Sequence, residues 1–402
     1  MARLIKKIFK WLGLGLLLGV FLIFALPWFP VITDTLSRKK QINYLTENSV
    51  ALDLSKADGG FAFDDDFYSN QLFMLGEMHG YARVQNLDLA LLTHLNERLG
   101  VQYYMAEIDP ATAMIFNYAL RTGDDEALLK VFDIWYKERQ SQWGNINFLE
   151  KLRSIRDLNA TLPEAQKISF IGVDGPPKEK FIALAQSLPA SEESTADTVN
   201  QELLKASLAR SDSAGRYAHI INNVGLMKEA MPDTKFYGLW GISHIQKVGI
   251  NGFTSLSSFL NKGTDKIPPA FENSVATIHT LCVADCSNMM ISGILPGVPK
   301  PENGEPFTEI PMSFDNTYLF RTRGIGAAKS VMGNTPNMLF DMNNPGSPYM
   351  EGSALVGSTG YMSMIRNYHI DGAAAENFDA LILMNGSLAL QPIEGKSFIF
   401  AK

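Results

Sequence analysis

The strongest constraint on this chain lies between Leu72 and Asp109. Leu72-Phe73-Met74-Leu75-Gly76 is an apolar run that stops on Glu77-Met78-His79-Gly80. A helical pattern follows, in which Leu87, Leu91, Leu95 and Leu99 recur every four residues and Gly100 takes the C-cap position. A second apolar run, Tyr103-Tyr104-Met105-Ala106, stops on Glu107-Ile108-Asp109. Strand, helix, strand is the unit of a parallel sheet, and ligands of such sheets bind beyond the carboxyl ends of the strands. Two neighbouring strands joined by one helix would bring Glu77, His79 and Glu107 to one crevice. Residues i and i+2 of an extended segment face the same way, so Glu77 and His79 share a target.

Short apolar runs bounded by turn residues predict strands at 71–77, 102–108, 167–173, 235–241, 337–341, 379–384 and 397–400. Helices are expected at 110–121, 147–158, 178–188, 195–210 and 215–229. This alternation predicts an α/β domain over 67–402 with a mostly parallel, mixed central sheet flanked by helices. Residues 261–358 are rich in Gly, Pro, Asn and Ser with weak periodicity. They read as a loop-rich insertion, either a lid or binding loop or a surface elaboration.

Later strands repeat the first pattern. Ile168-Ser169-Phe170-Ile171-Gly172-Val173 ends on Asp174, and Phe236-Tyr237-Gly238-Leu239-Trp240-Gly241 leads through Ile242-Ser243 to His244. Gly76 precedes His79 by three residues as Gly241 precedes His244, and Gly241 is expected to permit the backbone turn. Arg216, on the helix that carries His219, Asn222 and Asn223, could reach an anionic substrate group or a developing oxyanion. A solvated surface arginine is the simpler account of that residue alone. Two chemistries fit this set. A neutral imidazole can act as general base with a carboxylate fixing its tautomer. Alternatively His79, Glu77, Glu107 and His244 can hold a divalent metal with an open position for water. Spacing does not separate them. No Gly-x-Ser-x-Gly elbow, P-loop or Gly-x-Gly-x-x-Gly is present. His94, His279 and His369 read as structural.

The amino terminus adds a location. Arg3, Lys6, Lys7 and Lys10 precede 11–32, which carry no charge. About twenty apolar residues cross a bilayer as a helix, and leading basic residues favour a cytoplasmic N-terminus. No small-x-small cleavage site is evident, so an uncleaved single-pass anchor is expected, with Trp28 and Phe29 at the interface. Arg38, Lys39 and Lys40 nearly match the leading basic cluster from the other side. Residues 33–66 read as a polar linker. The 46% hydrophobic and 19% charged content is that of a globular chain. A net charge of −7 without a basic patch argues against a nucleic-acid partner. Cys282 and Cys286 are too few for a disulfide scaffold or a four-thiolate zinc site; a local disulfide and two buried thiols both fit their spacing.

The run Leu75-Gly76-Glu77-Met78-His79-Gly80, the helix, Ala106-Glu107-Ile108-Asp109 and then Trp240-Gly241-Ile242-Ser243-His244-Ile245 resemble the erythromycin esterase superfamily. That group also takes in ChaN-like haem-binding lipoproteins and TraB/Tiki-type proteins. The similarity extends to Arg216 through Asn223, and to Asn377-Phe378-Asp379-Ala380-Leu381-Ile382-Leu383-Met384-Asn385 with Ala389-Leu390-Gln391-Pro392, patchily from about 70 to 393. The resemblance implies an α/β hydrolase-like domain, unrelated to the serine α/β-hydrolases. His79 would be the general base, Glu77 and Glu107 would orient and polarise, and His244 would complete the pocket. It implies metal-free cleavage of a macrolide lactone in the esterase branch, metal-dependent peptide cleavage in the Tiki branch, and iron or haem binding in the ChaN branch. Two departures stand out. Only Met78 separates Glu77 from His79, where the esterases have two residues. Asp88 stands where they carry an arginine about nine residues after the histidine, which would alter the substrate and makes Asp88, with Asp174 and Arg216, a candidate substrate contact. The expectation is a membrane-anchored periplasmic hydrolase that cleaves an ester or amide bond of a small-molecule or peptide substrate. The alternative is a metal- or haem-binding protein.

Overall fold

Phe73 and Leu75 pack into one apolar layer while Leu72 and Met74 pack into another. A strand that buries both of its faces belongs inside a sheet with helices on either side. The computed structural model describes residues 2–25, 29–138, 141–189, 194–210, 215–294, 298, 300, 305–314, 321–351, 355, 357–359 and 370–393. The expected strand at 397–400 and His369 lie outside the described residues.

The strands are β1 (Ser49–Ala51), β2 (Leu72–Glu77), β3 (Tyr103–Ala106), β4 (Ser169–Gly172), β5 (Phe236–Gly241), β6 (Val275–Ala284), β7 (Ser287–Ile291), β8 (Phe307–Pro311), β9 (Arg321–Thr322), β10 (Asn337–Asp341), β11 (Ser358–Thr359) and β12 (Ala380–Asn385). An eight-stranded sheet runs β1-β10-β12-β6-β2-β5-β3-β4. Every pair from β12 to β4 is parallel, and β10 is antiparallel to both of its neighbours. The expected mixed, mostly parallel α/β sheet is therefore present.

The helices are α1 (Ala2–Ala25), α2 (Phe29–Glu47), α3 (Asp65–Ser69), α4 (Ala82–Leu99), α5 (Pro110–Thr122), α6 (Asp125–Asp133), α7 (Ile146–Thr161), α8 (Glu179–Ser187), α9 (Thr195–Ala209), α10 (Arg216–Ala230), α11 (Leu256–Lys262), α12 (Ile325–Met332) and α13 (Ala374–Asn377). Leu87, Leu91 and Leu95 of α4 and Phe116 of α5 cover one face of the sheet; Val199 of α9 and Ile220, Val224 and Met227 of α10 cover the other. Gly100 ends α4 in the left-handed conformation, its N–H on Asn96 and Leu95 carbonyls.

Three expectations are corrected. β5 lies between β2 and β3, so the first two strands are not neighbours. The 33–66 segment is not a linker: it holds most of α2, which packs on α12, and edge strand β1, which pairs with β10. The 261–358 segment supplies β6, the strand beside β2 at the centre of the sheet. Thr277, His279 and Thr280 interrupt its apolar pattern, yet all three are buried. Thr280 donates to the Gly76 carbonyl at 2.7 Å and Thr277 to that of Asn377 at 3.1 Å, so burial leaves their hydroxyls bonded.

Among the described residues no helix is long and apolar enough to cross a membrane. The uncharged 11–32 stretch falls partly in α1 and partly in α2, with residues 26–28 outside the described residues. The expected single spanning helix is thus not found. Trp11, Leu12, Leu16, Leu17 and Phe21 of α1 are exposed. Cys282 and Cys286 form a disulfide between the end of β6 and the start of β7.

Candidate active site at the carboxyl ends of the parallel strands

β2 runs out into Glu77 and His79, whose side chains meet: His79 Nδ1 lies 2.8 Å from Glu77 Oε1. Glu77 is 2% exposed, whereas solvent reaches 40% of the His79 side chain. A carboxylate on Nδ1 fixes the ring and leaves Nε2 as the reactive nitrogen. Gln85 of α4 approaches the other Glu77 oxygen at 3.5 Å. The His79 main chain is clamped as well, since Asn288 Nδ2 donates to its carbonyl at 2.8 Å. Gly80 has a φ of +104°, and a Cβ there would stand 2.4 Å from Asn288 Oδ1, so only glycine fits.

Glu107 follows β3 and ties that strand to β5. Its Oε2 accepts the Gly241 N–H at 2.9 Å, and its Oε1 accepts from Arg216 Nη2 at 2.6 Å. Arg216, at the start of α10, also binds Asp174 beyond β4, with Nε at 2.8 Å from Oδ1 and Nη2 at 2.7 Å from Oδ2. His244 follows β5; its Nε2 is 3.5 Å from Glu107 Oε1, and its Nδ1 shares a 2.9 Å hydrogen bond with the Tyr217 hydroxyl. The interposed β5 does not separate Glu77 from Glu107. It delivers Gly241 and His244 between them.

A cavity of about 470 Å³ opens over this edge, with His79, Glu107, Asp174 and Arg216 in its lining and Trp135, Trp143 and Lys178 completing it. The Trp143 ring meets the His79 ring edge-on at 5.4 Å. A second cavity, of about 320 Å³, is lined by Asp64, Asp66, Asp341 and Asp379 at the amino ends of the strands, and holds none of the residues gathered here.

Charge is strongly organised. Burial opposes a proton on His79, but Glu77 and then Glu107 outweigh it and push the imidazole up to about 9. Solvent reaching the ring screens the pair, which keeps it weaker than an enclosed one. Pushed up to about 9, the ring holds a proton at neutral pH that it must release before Nε2 can act as the general base expected from the sequence. Burial would raise the Glu107 carboxyl, yet its hydrogen bond and charge interaction with His244, then His79 and Arg216, hold it well below the usual carboxylate range. Burial raises Asp109, against hydrogen bonds from Thr112.

Six of the residues singled out in the sequence, Glu77, His79, Glu107, Asp174, Arg216 and His244, meet here. Asp88 does not. It is fully buried beneath the sheet, accepting from Tyr237 at 2.6 Å and Tyr104 at 2.8 Å and paired with Lys151. A carboxylate with that many buried donors is structural and makes no substrate contact. Gly241 also departs from expectation. Its φ is −53°, open to any residue, but a Cβ would lie 3.3 Å from His79 Nε2 and 3.4 Å from His244 Cδ2. Glycine is there for space. Tyr217, Trp143, Asn288 and Lys178 gave no sequence signal, because each arrives from an element whose own pattern is ordinary. His94 is bonded to the Tyr68 hydroxyl at 2.7 Å, and burial holds His279, against Phe378, down to about 3.

The four residues proposed as metal ligands do not fit that role as arranged. Glu107 is engaged by Arg216 and the Gly241 N–H, Glu77 by His79 and Gln85, and His244 Nδ1 by Tyr217. The Arg216 guanidinium stands where a cation would have to approach Glu107. Among the described residues no group of three or more His, Cys, Asp or Glu is placed to hold a metal ion.

No protein-family model and no curated protein matches this sequence. Solved structures do. A Bacillus cereus protein is similar over 89% of this chain and 99% of its own, at 14% identity and a TM-score of 0.55. A succinoglycan biosynthesis protein is similar over 88% of this chain and 98% of its own, at 14% identity and a TM-score of 0.53. A mutant of erythromycin esterase EreC in its open conformation is similar over 80% of this chain and 92% of its own, at 14% identity and a TM-score of 0.50. This chain has the fold of those three proteins.

Proposed function

We propose that the protein is a hydrolase that cleaves an ester or amide bond, with His79 as the proton-transferring group and Glu77 as its partner. The observation that carries this reading is the 2.8 Å pairing of Glu77 with His79 Nδ1, on a ring that lines a cavity at the carboxyl ends of parallel strands. The fold shared with a protein named an erythromycin esterase supports it.

Once His79 has released its resting proton, Nε2 takes one from a water molecule as the water oxygen adds to the carbonyl carbon. The bond to the leaving oxygen or nitrogen then breaks, and the same proton passes from His79 to the leaving group. Water is consumed, and an acid and an alcohol or amine are released. Glu77 stabilises the imidazolium throughout. Arg216 faces the cavity as a fixed cation, and Glu107 holds Arg216, Gly241 and His244 in register.

A screen of small aryl and alkyl esters and amides tests this. Turnover that falls about 100-fold or more in His79→Asn is expected from loss of a general base. Turnover unchanged by that substitution would remove the reading.

We further propose an extracytoplasmic location at a membrane. The exposed apolar side chains of α1, the basic residues before them and the Cys282–Cys286 disulfide support it. Fractionation of cells that express the full chain, with and without residues 2–25, tests it. Retention in the cytoplasmic soluble fraction by the full chain would contradict it.

A further inference from the structure

Every carboxylate oxygen that borders the cavity, and each oxygen of Glu77 behind His79, already accepts a hydrogen bond. Glu77 takes His79 and Gln85, and Glu107 takes Arg216 and the Gly241 N–H. Asp174 takes Arg216 through both oxygens and the Gly175 N–H at 2.8 Å. Asp109 takes the Thr112 N–H at 3.1 Å and the Thr112 hydroxyl at 2.8 Å. The donors are different. Arg216 uses Nε and Nη2 but not Nη1, His79 uses Nδ1 but not Nε2, and Lys178 Nζ and Trp143 Nε1 donate to nothing among the described residues. All four of these side chains line one cavity, and they include a lysine, an arginine and a histidine pushed up to about 9.

A cavity whose open valences are donors, with its acceptors already satisfied from within, is complementary to an acceptor-rich anion. We infer that the site takes a substrate bearing an anionic oxygen group such as a carboxylate beside the scissile bond, seated between Lys178 and the free edge of Arg216. The Trp143 indole, edge-on to His79, gives the same substrate a flat apolar wall. This rests on the hydrolase reading for the bond that is cleaved, but not for the anion. Lys178 acts as a point charge at the exposed start of α8, so its contribution is to selectivity and binding rather than to bond cleavage.

The test uses the full chain, 4-acetoxybenzoate and its uncharged counterpart 4-acetoxybenzamide, which share the ester, the ring and the leaving oxygen. A kcat/KM preference of roughly tenfold or more for the carboxylate is expected, falling below about threefold in Lys178→Met. Equal turnover of the two esters overturns the inference and leaves the hydrolase reading standing. Calorimetric titration of the resting protein with 4-hydroxybenzoate needs no turnover. Binding that weakens about fivefold or more in Lys178→Met supports the anion site even where neither ester is cleaved, and in that case it is the hydrolase reading that fails. No binding, or binding indifferent to Lys178→Met, overturns the inference.

Discussion

Glu107 Oε2 accepts the backbone N–H of Gly241 at 2.9 Å, so the end of β3 is fastened to the end of β5 directly beneath His79. Because the other Glu107 oxygen holds Arg216, one buried carboxylate sets both the cation of the site and the turn that leads to His244. Substituting Glu107→Gln should lower kcat/KM about 100-fold or more, as should His79→Asn. The double variant should lose little beyond the worse single one, since residues of one catalytic unit are not additive. Losses that simply multiply would show that the two act separately.

Gly241 offers a finer probe. A methyl group at this position would press on His79 Nε2 and His244 Cδ2 at 3.3 and 3.4 Å without straining the backbone. Gly241→Ala should therefore fold with near-native stability, yet cut kcat by about tenfold or more through displacement of the His79 ring. A melting temperature that drops with activity intact would mean that the glycine serves the strand rather than the site.

Chelation separates the two chemistries left open by the sequence. With Glu107 held by Arg216 and Glu77 by His79, the site has no carboxylate oxygen to offer a cation. Protein purified without chelator should carry no stoichiometric transition metal by elemental analysis. Its activity should survive prolonged dialysis against EDTA within about twofold. Loss on chelation and recovery with manganese, cobalt or zinc would contradict this arrangement.

Asp88 and Lys151 test the core independently of the site. Lys151→Met leaves the Asp88 carboxylate buried with two tyrosine hydroxyls and no cation, which should cost about 3 kcal/mol of unfolding free energy. Urea denaturation measures it. A change below about 1 kcal/mol would mean that Tyr104 and Tyr237 alone satisfy the charge.

Much of this site could be read before the structure, because the apolar strands end abruptly on Glu77, Glu107, Asp174 and the turn to His244, and a parallel sheet gathers such ends at one edge. Other features were hidden for identifiable reasons. β6 escaped notice because Thr277, His279 and Thr280 broke its apolar run, although each is buried. Asp88 reads from the family resemblance as a substrate contact, since its partners Tyr104, Lys151 and Tyr237 come from distant segments. Tyr217, Trp143 and Asn288 reach the histidines only through the crossing of α10, the chain before α7, and β7. The charge state of His79 follows from the Glu77 and Glu107 carboxylates outweighing burial, a balance that spacing does not carry.

The pH dependence of kcat/KM for the wild type and Glu77→Gln is the most direct test of the central claim, once an ester substrate is in hand. His79 is pushed up to about 9 by Glu77, so the free base that hydrolysis requires grows as pH rises and is the major form only above that value. The wild-type rate should rise roughly tenfold per pH unit and level off near pH 9. Glu77→Gln removes the main charge that holds the proton, so its rise should level off at or below the ordinary histidine range of about 6.5, at a lower plateau. A limb that Glu77→Gln leaves in place, or a rate that falls as pH rises from 6 to 9, would show that His79 is not the base.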